Sequence, residues 1–179
     1  MHGTIESLQV AIIFISLLGA ILDLLFNRIF NIFTLTSAVI GVVACSCVHG
    51  WTGASDGILG ILGGFLFYSW LFGLRILGGG DVKFLMALGA WGGFHFIQEV
   101  AILGILVGGL LSLGMLVIKG KLSSFVHKFS LPLMSLFVKE LEFQLPKVDQ
   151  SLKMPFGVSI AIAAIWVTYY DFSIFSFFQ

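Results

Sequence analysis

Two aspartates stand out in a chain that is otherwise nearly all hydrocarbon. Asp23 follows a long apolar run, and Asp81 follows the triglycine Gly78-Gly79-Gly80 and precedes Val82 and Lys83. A carboxylate at membrane depth is costly and marks a functional site by default. Two carboxylates held close together do not both ionise readily, so one keeps a proton while the other accepts one from a bound water. That water can attack a peptide carbonyl polarised by the protonated partner. Neither a metal nor a cofactor is needed. The glycines would let a substrate backbone approach closely. Gly-Gly-Gly-Asp also has a plainer reading, a turn followed by a helix cap, because Asp accepts from the unpaired N–H groups of a helix start. The two roles are compatible.

The elements that must position these acids follow from composition. Of 179 residues, 59% are hydrophobic and 10% charged, and mean hydropathy is +1.10. A soluble domain carries about 25% charge, so this chain cannot cover a globule with polar surface, and the bilayer must be its solvent. A span needs about 20 apolar residues. The expectation is an all-α polytopic membrane protein with about six transmembrane helices, at about 5–26, 32–48, 57–77, 81–97, 100–118 and 155–175. Residues 49–56 read as a loop, Gln98 and Glu99 as a tight turn, and 119–153 as a long polar loop. The first run lacks a basic leader region and carries Glu6, so it reads as a retained helix rather than a signal peptide. Gly60-x-x-x-Gly64 and Gly104-x-x-x-Gly108 offer small-residue faces for close helix packing.

Charge sets the orientation. With six spans, the odd-numbered connections hold Arg28, Arg75, Lys83, Lys119, Lys121, Lys128, Lys139, Lys147 and Lys153, which is every Lys and Arg in the chain. The other side holds Glu6, Asp56, Glu99 and Asp171 and no basic residue. By the positive-inside rule the basic side is cytoplasmic and both termini lie outside. Asp23 then falls near the cytoplasmic end of the first helix and Asp81 at the cytoplasmic start of the fourth. Both acids reach the same face, although topology alone does not make those helices neighbours.

Three stretches together resemble a known family. Gly78-x-Gly80-Asp81-x-Lys83, running on to Trp91-Gly92, is similar to the G-x-G-D-x-K motif of the type IV prepilin peptidases, which are intramembrane aspartyl proteases. Asp23 followed by Arg28-Ile29-Phe30-Asn31 resembles the family's first aspartate and its downstream R-I-P-N. Met154-Pro155-Phe156-Gly157 resembles a third stretch that opens the last helix. Phe30 and Val158 stand where the family commonly has proline.

The resemblance implies six helices, a catalytic pair at Asp23 and Asp81, and an active site facing the cytoplasm of a bacterial inner membrane. It implies supporting positions at Gly78, Gly80, Lys83, Arg28, Asn31 and Pro155. The implied reaction removes the short basic leader of prepilins and pseudopilins. Nothing corresponds to the methyltransferase region of the larger enzymes, so residues 1–179 read as one peptidase domain like the short forms of tight-adherence (Flp) pilus systems.

The remaining polar residues carry blander readings. Lys83 lies two positions past Asp81 and points elsewhere on a regular helix, so a topogenic or lipid-phosphate-facing role competes with support of the site. Arg28 and Arg75 read as topogenic, and Asn27 and Asn31 as candidates to hydrogen-bond near Asp23. Cys45 and Cys47 read as small packing residues. The histidines at 2, 49, 95 and 127 lack ligand spacing, and no metal or cofactor is expected. Residues 123–141 could lie in the interface as an amphipathic segment. Expected partners are prepilin-type substrates and membrane lipids. Zero net charge gives no case for nucleic acid. The rival reading is a small ion- or proton-coupled transporter, which would want its carboxylates near mid-membrane on an aqueous path.

Overall fold

A computed structural model describes residues 2–74, 77–118 and 156–170. They form four helices: α1, His2–Phe26; α2, Asn31–Gly73; α3, Gly79–Ile118; and α4, Phe156–Tyr170. The described residues contain no strand. The first three helices are long and apolar enough to cross a membrane, and α4 is a shorter apolar helix. Large apolar side chains such as Val10, Ile32, Leu66 and Trp51 lie exposed on the exterior, a surface that suits lipid and not water.

Two of the helices are too long to be straight spans. α2 has 43 residues, or about 65 Å of helix against about 30 Å of bilayer hydrocarbon. The chain resolves this at Gly50, whose φ of 64° and ψ of −143° break the helix. Straight helix would hold Val42 and Gly57 about 22 Å apart. Instead a Cβ placed on Gly57 would sit 3.5 Å from Val42 Cγ2, so the two arms of α2 lie side by side. α3 breaks in the same way at Gly93, with φ 78° and ψ −173°. Gly64 meets the backbone of Leu85 and Met86 while its neighbour Gly63 meets Ile97, so the two arms of α3 both return to the second arm of α2.

These single-residue reversals correct two expected boundaries. Gln98 and Glu99 form no turn; they lie inside the second arm of α3, with Glu99 buried. The expected loop at 49–56 shrinks to Gly50, because one left-handed glycine reverses the chain without a run of loop residues. The second reversal is stapled by Asp56, whose Oδ1 accepts the Phe94 N–H at 3.1 Å.

Packing between the arms relies on small residues. Gly60 and Gly89 bring their backbones into contact, so a side chain at either position would strike a carbonyl group. Gly104 admits the Tyr68 hydroxyl, which donates to the Ala101 carbonyl at 3.2 Å. Gly108 admits the Phe156 ring. Both small-residue faces therefore pack as the sequence implies. Phe84, Leu85, Leu88, Ile97 and Ile160 are fully buried between them. Cys45 is buried with its thiol directed at the Trp91 carbonyl, 3.3 Å away, whereas Cys47 is exposed.

The chain divides into two compact units, residues 1–108 with 155–179, and residues 109–154. Of the second, only 109–118, the end of α3, is described. The long loop at 119–153, its amphipathic segment, Arg75 and Pro155 lie outside the described residues.

Candidate active site

Asp23 sits one turn before the end of α1. The helix is closed by Asn27, whose N–H donates to the Asp23 carbonyl at 2.8 Å and whose φ is 48°. Asparagine tolerates this left-handed conformation and ends helices that way. Asn27 therefore serves Asp23 through the main chain and not through its carboxylate. The Asp23 side chain is 5% exposed. Its Oδ2 accepts the Gly157 N–H at 2.7 Å, a contact between positions 134 residues apart in the chain. The Val158 N–H is directed at the same carboxylate. Both donors belong to the first turn of α4, where backbone N–H groups lack intrahelical acceptors.

Asp81 is the third residue of α3, which starts at Gly79, two residues earlier than expected. The Gly78 N–H donates to Asp81 Oδ2 at 3.1 Å, and the Asp81 N–H donates to the Gly78 carbonyl at 3.1 Å. The side-chain bond is half of a capping box, the acid on the first turn reaching back to the Gly78 N–H, while glycine has no side chain to return it. Asp81 is therefore not the cap residue that the sequence suggested; it lies on the first turn and accepts from the residue before the helix, which holds its side chain at the helix start.

Ile29 connects the two acids. It is buried, at 7% exposure. A Cβ on Gly80 would lie 3.4 Å from the Ile29 Cβ and backbone oxygen, and a Cβ on Gly157 would lie 3.0 Å from its Cδ1. The residue before Asp81 and the residue that binds Asp23 thus touch opposite ends of one side chain. Tyr68 borders the same region, with its ring 5.9 Å from that of Phe156 and its hydroxyl within electrostatic reach of Asp81.

Around this centre, Lys83 Nζ donates to Asn31 Oδ1 at 2.9 Å, tying the second turn of α3 to the first residue of α2. Arg28 is exposed beside Ile29 in the chain. Asp23, Arg28, Asn31, Gly78, Gly80, Asp81 and Lys83 all lie at one end of the helix packing. Gly50, Asp56 and Gly93 lie at the other. Among the described residues, no three His, Cys, Asp or Glu side chains cluster as a metal site. Gly157 was not singled out as a site position by its residue type. The signal was a glycine in the first turn of a helix, within the Met154–Gly157 stretch.

The described residues are all-helical and largely apolar, with three helices able to cross a bilayer, which marks a membrane protein. The sequence profile of the type IV leader peptidase family matches residues 10–113, more than half of the chain, and the chain belongs to that family. It is a peptidase of the leader-processing kind. The matched span contains both Asp23 and Asp81; the Met154–Gly157 stretch lies beyond it. No curated protein matches the chain, and no solved structure does.

Proposed function

We propose that this chain is an intramembrane aspartyl endopeptidase that removes the short basic leader of prepilins and pseudopilins at the cytoplasmic face of a bacterial inner membrane. The observation that carries the reading is the meeting of the Asp23 and Asp81 anchors on Ile29, with both acids and Ile29 inside the stretch that matches the family. In this reading the chain crosses the membrane six times, with the reversals at Gly50 and Gly93 on the outer side and both termini outside. Arg28 and Lys83 then mark the cytoplasmic side, as the positive-inside rule requires.

The chemistry follows from the pair. One carboxylate takes a proton from a bound water, and the resulting nucleophile attacks the scissile carbonyl. The other carboxyl, protonated, donates to the carbonyl oxygen. Collapse of the tetrahedral intermediate breaks the C–N bond, and the departing amine takes a proton from the pair. The helix-start contacts of both acids serve this step by fixing their side chains before substrate arrives. Gly78 and Gly80 let the chain beside Asp81 pack closely, Gly80 against Ile29 and Gly78 against the carboxylate itself. Arg28, Asn31 and Lys83 support the same end of the bundle, and residues 1–179 act as one peptidase domain. The transporter reading has no comparable support, since the family is a peptidase family.

Co-expression with a prepilin from the same genome tests this. Asp23→Asn and Asp81→Asn should each abolish leader removal while the protein still inserts. Full processing by either variant would sink the assignment.

A further inference from the structure

The proposed chemistry needs Asp23 held in one orientation, yet α1 supplies nothing to hold it. The Asp23 side chain leaves α1 and ends on another helix, where its Oδ2 lies 2.7 Å from the Gly157 nitrogen. A carboxylate oxygen can only accept when ionised, and the N–H groups of a first helical turn can only donate outward. The two are matched in kind and are both buried.

Space at this contact is as specific as the bond. A Cβ on Gly157 would lie 2.7 Å from Asp23 Oδ2, 3.0 Å from its Cγ and 3.0 Å from Ile29 Cδ1. Any side chain there pushes the carboxylate off the N–H. The start of α4 is itself fixed in place. The Phe156 ring packs edge-on against Tyr68 and fills the gap left by Gly108, with a Cβ there only 2.8 Å from Phe156 Cζ. The donor therefore has little freedom to follow a displaced acceptor.

We propose that Gly157 is a positioning residue for Asp23: the first turn of α4 ties down Oδ2, so that proton exchange with the attacking water falls to Oδ1. This rests on the aspartyl-protease reading. It assigns the Met154–Gly157 stretch a definite task, which is to present an N–H to the acid and to leave room for it. Phe156 braces that turn and does not touch the reacting atoms.

The test uses purified full-length protein in lipid vesicles with a synthetic prepilin, reading kcat and KM separately. Gly157→Ala should lower kcat at least about tenfold, because ångström-scale misplacement of a reacting group costs up to about a hundredfold. KM should stay within about twofold. Adding Ile29→Val removes the second obstruction but not the clash with Asp23, so it should not restore kcat. Asp23→Glu keeps the charge but carries the carboxylate one methylene past the Gly157 N–H, and it should also lose kcat. If Gly157→Ala does not accumulate, Asp23→Glu alone decides.

Wild-type kcat in Gly157→Ala or in Asp23→Glu would overturn the proposal, as would full rescue by Ile29→Val, which would make Gly157 a packing residue only. Asp23→Asn separates the two levels. If it processes fully, the protease assignment itself fails. If it is inactive while Gly157→Ala is fully active, only the positioning role fails.

Discussion

Replacing Gly93 with alanine should unfasten the reversal that carries α3 back along the bundle. Gly93 has φ 78° and ψ −173°, a region that is essentially glycine-only and costs another residue about 1–3 kcal/mol. The added Cβ would also strike the Asp56 carboxylate, lying 2.7 Å from its Cγ. Asp56 accepts the Phe94 N–H at the start of the second arm, and a cap of this kind is worth about 0.5–2 kcal/mol. The two effects together give about 1.5–5 kcal/mol. A central value near 3 kcal/mol lowers Tm by roughly 6–12 °C for a chain of this size. Thermal unfolding in detergent, followed by circular dichroism, reads it directly. Asp56→Ala alone should cost only the cap. Because Gly93→Ala has already displaced that carboxylate, the double variant should fall little below Gly93→Ala. A Gly93→Ala protein within about 1 °C of wild type, or a fully additive double variant, would refute the reasoning.

The same melting assay checks three further expectations. Trp91→Phe removes an indole N–H that donates to the Ser37 carbonyl at 2.9 Å, and it should cost about 0.5–1.5 kcal/mol. Gly60→Val puts a side chain into the Gly89 carbonyl group, whose carbon would lie 2.6 Å from the new Cβ. Backbone cannot step aside, so the loss should exceed about 3 kcal/mol, at or beyond the upper end of ordinary overpacking. Gly73→Ala, with nothing among the described residues within 4 Å, is its matched control. Lys83→Met breaks the exposed bond to Asn31 and should change stability by no more than about 0.5 kcal/mol.

Much of this was legible in the chain because the bilayer permits few solutions. The apolar runs, the segregation of Lys and Arg, and the two isolated acids each carry a physical cost that makes them stand out. A place for Asp81 at a helix start was legible for the same reason, since its contact with Gly78 is local. The reversals were harder. Gly93 sits in Trp91-Gly92-Gly93, among many glycines that serve packing, and no periodicity says which glycine turns the chain. Polar Gln98 and Glu99 drew the expected turn because they interrupt the hydropathy, yet Glu99 is buried within a helix. The partners of Asp23 and Asp56 were illegible. Gly157 and Phe94 meet those acids through backbone N–H groups, which any residue but proline carries, so side-chain identity could not announce them.

The central claim is that Asp23 and Asp81 work as one unit. Steady-state cleavage of a prepilin by the reconstituted protein, measured for Asp23→Asn, Asp81→Asn and the double variant, tests it most directly. Groups that act together are strongly non-additive, and general acid–base catalysis is worth about a hundredfold to ten-thousandfold. Each single variant should lose that much kcat, and the double variant should lose no more than either one. Independent, additive losses, or substantial turnover by one of the single variants, would contradict the account.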